Sequence, residues 1–432
     1  MIPTTKSDEA ADSKLALLRF TSVIFAALLL FFSWPLWLQS GDLYPQVPLF
    51  SFARTASYTW DLVALAIAAA SIAMLLVPSR RWQAAGCCGF ILGSVALVVL
   101  DQHRLQPWLQ QLILLCLFAL LLPRSLFLNF ARWLLISIYL FSAASKFDFV
   151  FLQSLGHQFS DQAFSFVGID FKVLPDPIRW CCAWSFPIGE LLIGVGLMMP
   201  KTRRLAAWLA IILHVFLLLI LGPLGLNHQA GVLCWNLFFV AQVVILFLLP
   251  DRMPTQEKAG EGRTSEPIET IPKAGIAHAL CRLLLILPVL EPFGYYDHWP
   301  AWQLYAPRNS RVAMSILDER VDKLPDSLLP YVSEPGGEFG IWREIDLSGW
   351  SLETLHVPIY PHGRFQIGVS LATIEKYDLT SVRIDVQETA DRSTGERQQQ
   401  VFSQVPELKE MASERFRLNA MPRDLSARLA RP

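Results

Sequence analysis

Eight stretches of this chain run for about 18 to 24 residues with almost no charge, and that feature decides what it can fold into. In lipid a segment must satisfy its own backbone polar groups, so a run of ~20 apolar residues reads as a membrane-spanning helix. Such runs fall at 15–38, 58–77, 83–100, 106–123, 127–146, 177–199, 204–222 and 230–249. A ninth, 276–296, is shorter and interrupted by Arg282, Pro288 and Glu291. The expected fold is mostly α, a polytopic transmembrane bundle of about nine helices with a small C-terminal α+β soluble domain. Composition agrees: 53% of residues are apolar and 17% charged. A net charge of -1 gives no electrostatic reason to bind nucleic acid, so the bilayer is the first partner.

The N-terminal tail, 1–14, is polar, and the apolar run that follows has no small-residue cleavage site, so it reads as a retained span. Basic residues in short loops stay on the cytoplasmic side. With the N-terminus inside, the inner loops hold Arg80 and Arg81, then Arg124 and Arg132, then Lys201, Arg203 and Arg204, then Arg252, Lys258 and Arg263. The outer loop at 223–229 holds none. Lys146, Lys172 and Arg179 crowd one outer segment against this rule. The stretch 250–275 is polar, rich in Pro and Gly and free of periodicity, as a cytoplasmic linker would be. With the ninth span in place, the domain at 297–432 is extracytoplasmic and the protein is a multi-pass inner (plasma) membrane protein. If that segment only lies along the surface, the domain is cytoplasmic.

Within the tail, Ser381–Thr389 and Arg397–Phe402 flank a Gly-containing turn and predict a β-hairpin. Arg364–Tyr377 spaces Phe365, Val369, Leu371 and Ile374 as an amphipathic helix does. The seven cysteines, Cys87, Cys88, Cys116, Cys181, Cys182, Cys234 and Cys281, sit in or beside apolar segments and write neither a disulfide framework nor a metal site. Small apolar packing explains them, with a redox role for Cys181, Cys182 and Cys234 the alternative. Walker loops, dinucleotide fingerprints and serine elbows are missing from the sequence.

Ionisable groups at membrane depth are costly, which makes Lys146, Glu190 and His214 the candidate catalytic residues. Glu190 and His214 stand symmetrically about a hairpin centred near residue 202, at similar depth, so they can face each other and relay a proton or bind a quinone-like head group. A helix clamp is the alternative. Lys146 ends its helix after Ser142, Ala143, Ala144 and Ser145. It can snorkel to the interface, or act as a desolvated base or an anchor for an anionic substrate. The outer segment 149–176 alternates aromatic and polar residues as a lid or an interfacial helix would. Asp101, His103, Arg104, Asp148, His157, His228 and Asn236 supply further polar groups toward the outer side, and are the candidate substrate-binding set.

Tyr139-Leu-Phe-Ser-Ala-Ala-Ser-Lys146-Phe, then Phe186-Pro-Ile-Gly-Glu190 with Gly194 and Gly196, then Thr202-Arg-Arg and His214 resemble the helical core of DoxX-type and MauE-type redox-associated membrane proteins. The likeness covers about 130–249 and extends to the membrane region of vitamin K-dependent γ-carboxylases. It implies quinone- or thiol-linked redox chemistry, a quinone or quinol as the cofactor, and a redox partner protein. In the carboxylase branch it implies Lys146 as a base. The tail of about 120 residues departs from the large β-rich domain of carboxylases, and MauE proteins are usually much shorter. A non-catalytic scaffold holding a partner through its tail is the reading from a different class.

Overall fold

The computed structural model describes residues 6–250, 272–334 and 340–424; most of the expected linker lies outside them. Among the described residues, eight helices are long and apolar enough to cross a membrane. We number the bundle α1 Lys6–Phe32, α2 Thr59–Leu76, α3 Arg80–Leu100, α4 Pro107–Leu121, α5 Arg124–Lys146, α6 Asp176–Met198, α7 Arg203–Leu221, α8 Ala230–Val243 and α9 Pro272–Ile286. The α8 helix runs on through a π turn to Leu248, and α9 through a 3-10 segment to Phe293, which gives both the length of a span. The α4 helix is the exception. Its 15 residues rise only about 22 Å, short of a ~30 Å hydrocarbon core, yet it packs between α3 and α5. The first span also ends early, at Phe32. Ser33 breaks the helix, Pro35 opens a separate turn at Trp34–Leu38, and the expected run to residue 38 is thereby split.

Helix pairs approach through glycine where backbones must touch. A Cβ on Gly93 would stand 2.7 Å from the Ala64 carbonyl oxygen and 2.8 Å from the Ala68 nitrogen, so α3 lies directly on α2. A Cβ on Gly194 would stand 2.7 Å from Leu140 Cδ2, so α6 lies close against α5. That second contact sets the site described below.

Chain order then assigns every connection to one of two ends. Residues 77–79, 122–123 and 199–202 lie at one end of the bundle with the start of α1. Residues 33–58, 101–106, 147–175 and 222–229 lie at the other, together with everything after Phe293. The C-terminal region contains β1 Arg311–Leu317, β2 Trp342–Ile345, α10 Leu347–Leu355, α11 Gly363–Lys376, β3 Val382–Gln387, β4 Gln399–Phe402 and α12 Val405–Arg415. Its antiparallel sheet has the order β2-β1-β3-β4, and β3 and β4 form the hairpin expected from the turn sequence. Strand alternation buries Val312, Met314 and Ile316 with Val382, Ile384 and Val386 under α11. The α11 helix is buried from Gly363 to Ile374, not amphipathic as its spacing suggested, because its far side meets the bundle. A Cβ on Gly368 would stand 2.7 Å from Val47 Cγ2.

Polar bonds fix the region to the bundle end. Arg423 pairs with Asp61 at 2.8 Å, and Asp61 also pairs with Arg104, all three side chains being shut from solvent. Gln102 Nε2 donates to the carbonyls of Pro48 and Asn419, and its Oε1 accepts from Arg364 Nε at 2.7 Å. Arg364 in turn holds Asp297 at 2.8 Å. The Phe149 amide donates to the Arg392 carbonyl beside the end of α5.

Candidate functional site

Tyr139, Ser142 and Lys146 are spaced three and four residues apart, which puts them on one face of α5. That face opens on a cavity of about 580 Å³ between α5, α6, α7 and α8, roofed by Trp299–Pro307 and by 346–361 of the C-terminal region. At its upper end the Lys146 amine donates to both Glu190 oxygens, at 2.8 and 2.7 Å, and to Ser142 Oγ at 2.6 Å. Lys146 is 3% exposed, too buried for a snorkelling lysine. Glu190 stands one turn before Gly194 on the stripe of α6 that packs on α5. The close glycine contact therefore carries the carboxylate to the lysine.

A second chain of bonds lies deeper. Tyr139 Oη is 2.7 Å from His214 Nε2, and His214 Nδ1 is 2.9 Å from Asn236 Oδ1. Asn236 Nδ2 donates to the Val232 carbonyl, which fixes its amide with the oxygen toward the histidine. His214 Nδ1 is then the donor and Nε2 the acceptor of the Tyr139 hydroxyl, a complete pattern for a neutral imidazole. Phe239 stacks on the histidine ring at 4.8 Å.

The facing pair expected of Glu190 and His214 does not form: each bonds to α5 or α8 instead, although both line the same cavity. Hairpin arithmetic fixes depth but not which way a side chain points. Of the other candidates, Asn236 and His228 line this cavity. Burial lowers the pKa of His228. Asp101, His103 and Arg104 do not line it. They are fully buried in the joint between bundle and C-terminal region, where Asp101 accepts the Val47 and His103 amides and His103 Nε2 meets the Pro358 carbonyl at 2.9 Å. Asp148 caps the short helix after α5 through the Phe151 amide. His157 lies edge-on to Phe171 and Trp180, outside the cavity.

Two residues of the roof escaped sequence reasoning. Tyr305 Oη and Asn309 Oδ1 line the cavity, are buried, and have no hydrogen-bond partner among the described residues. Buried polar atoms are rarely left so, and a ligand with complementary groups would satisfy them. Tyr305 also holds a positive φ of 56°, a strained conformation for a bulky side chain that the surrounding packing must impose. Its ring meets Phe159 of the 149–165 helical segment edge-on, so roof and lid close on the same space.

Eight apolar helices among the described residues, long enough to span and enclosing buried charge, define a multi-pass membrane protein in a lipid bilayer. The family model of methylamine utilisation protein MauE, a membrane family, matches residues 124–249. The matched stretch is α5 to α8 from end to end, and it carries Tyr139, Lys146, Glu190, His214 and Asn236. No curated protein and no solved structure matches the chain.

Proposed function

We propose that this protein takes part in quinone- or thiol-linked redox chemistry, and that its cavity binds a quinone-like head group beside the C-terminal region. The observation that carries this reading is the convergence of Lys146–Glu190 and Tyr139–His214–Asn236 on one mainly apolar cavity with unpartnered Tyr305 and Asn309 in its roof. A quinone ring needs apolar walls and donors for its two oxygens. The Tyr305 hydroxyl and the His228 ring supply donors, the Lys146 amine being spent on Glu190 and Ser142, and the histidine chain offers a route for the proton that accompanies reduction. The sidedness that fits is a C-terminal region outside the inner membrane, facing a redox partner protein.

A scaffold using these groups only as helix clamps would have no need to turn the ion pair and the hydroxyl–imidazole–amide chain toward the same cavity. Use of Lys146 as a base, as in the carboxylase-like reading, is disfavoured because Glu190 holds its amine on both oxygens. The test is lipid extraction of the purified protein. Quinone should co-purify with the wild type and fall in Tyr305→Phe and His214→Leu, variants checked for intact folding by monodispersity. Wild-type protein without quinone, or variants retaining it at the wild-type level, would overturn the reading.

A further inference from the structure

A second cavity, of about 530 Å³, lies at the bundle end opposite the C-terminal region, between α1, α3, α4 and α5. Its lower wall is apolar, with Leu15, Leu18, Leu115 and Phe127 among its lining, but three arginines line it as well: Arg19, Arg80 and Arg124. Arg19 lies inside the first span and is half-buried. Among the described residues, neither Arg19 nor Arg80 has an acidic or hydrogen-bonding partner. A guanidinium at that depth is costly without a counter-charge.

Two helix N-termini add to the positive field. Arg80 and Arg124 are the first residues of α3 and α5, helices of 21 and 23 residues, and at neither start does a side chain cap the free backbone amides. Both dipoles and the Arg19 and Arg80 cations therefore bear on one apolar-floored cavity. We propose that this cavity is a binding site for an anionic phospholipid, its phosphate between the arginines and helix starts and an acyl chain along the apolar wall. The chemistry needed, a phosphate joined to hydrocarbon, is what the two halves of the lining divide between them. A free phosphate would satisfy only the polar half.

The test uses full-length protein exchanged into neutral detergent and titrated with phosphatidylglycerol, phosphatidylcholine or inorganic phosphate, read by thermal stability and by native mass spectrometry of retained lipid. Phosphatidylglycerol should bind about tenfold more tightly than phosphatidylcholine, with roughly fivefold lost for each of Arg19→Gln and Arg80→Gln. Arg19→Lys, which keeps the charge, should retain most of the preference and guards against a variant that merely misfolds. Equal binding of the two lipids by wild type, an unchanged preference in the double variant, or stabilisation by inorganic phosphate alone would overturn the proposal.

Discussion

Lys146 and Glu190 form an ion pair whose side chains are 4% and 12% exposed. Removing one partner strands the other in a medium that solvates it poorly, at a cost of about 3–5 kcal/mol, whereas removing both leaves only a packing change. Lys146→Met and Glu190→Leu should each lower the melting temperature strongly, and the double variant should recover most of it. Single variants that melt with the wild type would mean water reaches the pair freely. These two residues and His214 were legible because charge in an apolar run stands out by its cost alone. Tyr139 and Ser142 carry no charge and gave no such signal, although their spacing to Lys146 marks one face. Tyr305 and Asn309 had no local pattern at all, since only the folding-back of the C-terminal region brings them to the cavity. That Asp101, His103 and Arg104 lie in the joint and not at the cavity was not legible for a related reason: a polar cluster in a loop looks the same in sequence whether it faces a ligand or a domain. Burial in that joint leaves a pH signature. The pKa of His103 falls to about 4, first through desolvation and then through the Arg104 cation. The unfolded chain takes up a proton near pH 6.5 and the folded one does not, so His103 costs stability as pH drops from 6.5 toward 4. Asp101, pushed up to about 6 by burial, acts in the opposite direction below pH 6. Comparing wild type with His103→Gln, which keeps a donor for the Pro358 carbonyl, isolates the histidine. The variant should gain about 2 kcal/mol on wild type between pH 7 and pH 5, measured by thermal melts across that range; a constant difference would show that the ring is not buried neutral.

Between helices, close packing is set at glycines, and the two principal contacts differ in what a methyl group would strike. At Gly93 it meets backbone atoms of α2, which cannot move without moving the helix. At Gly194 it meets the end of the Leu140 side chain, which can turn aside. Alanine gains about 0.5–1 kcal/mol of helix propensity over glycine at either place. Gly194→Ala should accordingly be close to neutral, and Gly93→Ala should lose about 1–3 kcal/mol through overpacking. Equal melting temperatures for the two variants would contradict the α2–α3 geometry. Hydropathy marked the spans well because in lipid the apolar run is itself the fold requirement. It marked ends less well, as at Ser33, where a break inside an apolar run changes no hydropathy. The α11 helix was found by its period but misjudged in exposure. A helix between a sheet and the mouth of a bundle is buried on both sides, and a local pattern cannot reveal the second layer.

For the molecule as a whole, the side on which the C-terminal region sits follows from α9 and its 3-10 continuation running the length of a span. The chain leaves α8 at the end occupied by residues 199–202 and reaches Phe293 at the end occupied by 147–175. The arrangement is tied independently by Arg423 on Asp61, by Gln102 on the Asn419 carbonyl and by Phe149 on the Arg392 carbonyl. A surface-lying α9 would put the tail at the opposite end and break all three. Single cysteines placed at Ser393 and at Lys201 in a cysteine-free background distinguish the two arrangements. In sealed vesicles a membrane-impermeant maleimide should label only one of the two positions, and inverting the vesicles should exchange them. Labelling of both from the same side would show that α9 does not cross. The roof over the Lys146 cavity would then be lost with it, because Tyr305 and Asn309 could not reach the ends of α5 and α6 beside residues 147–175.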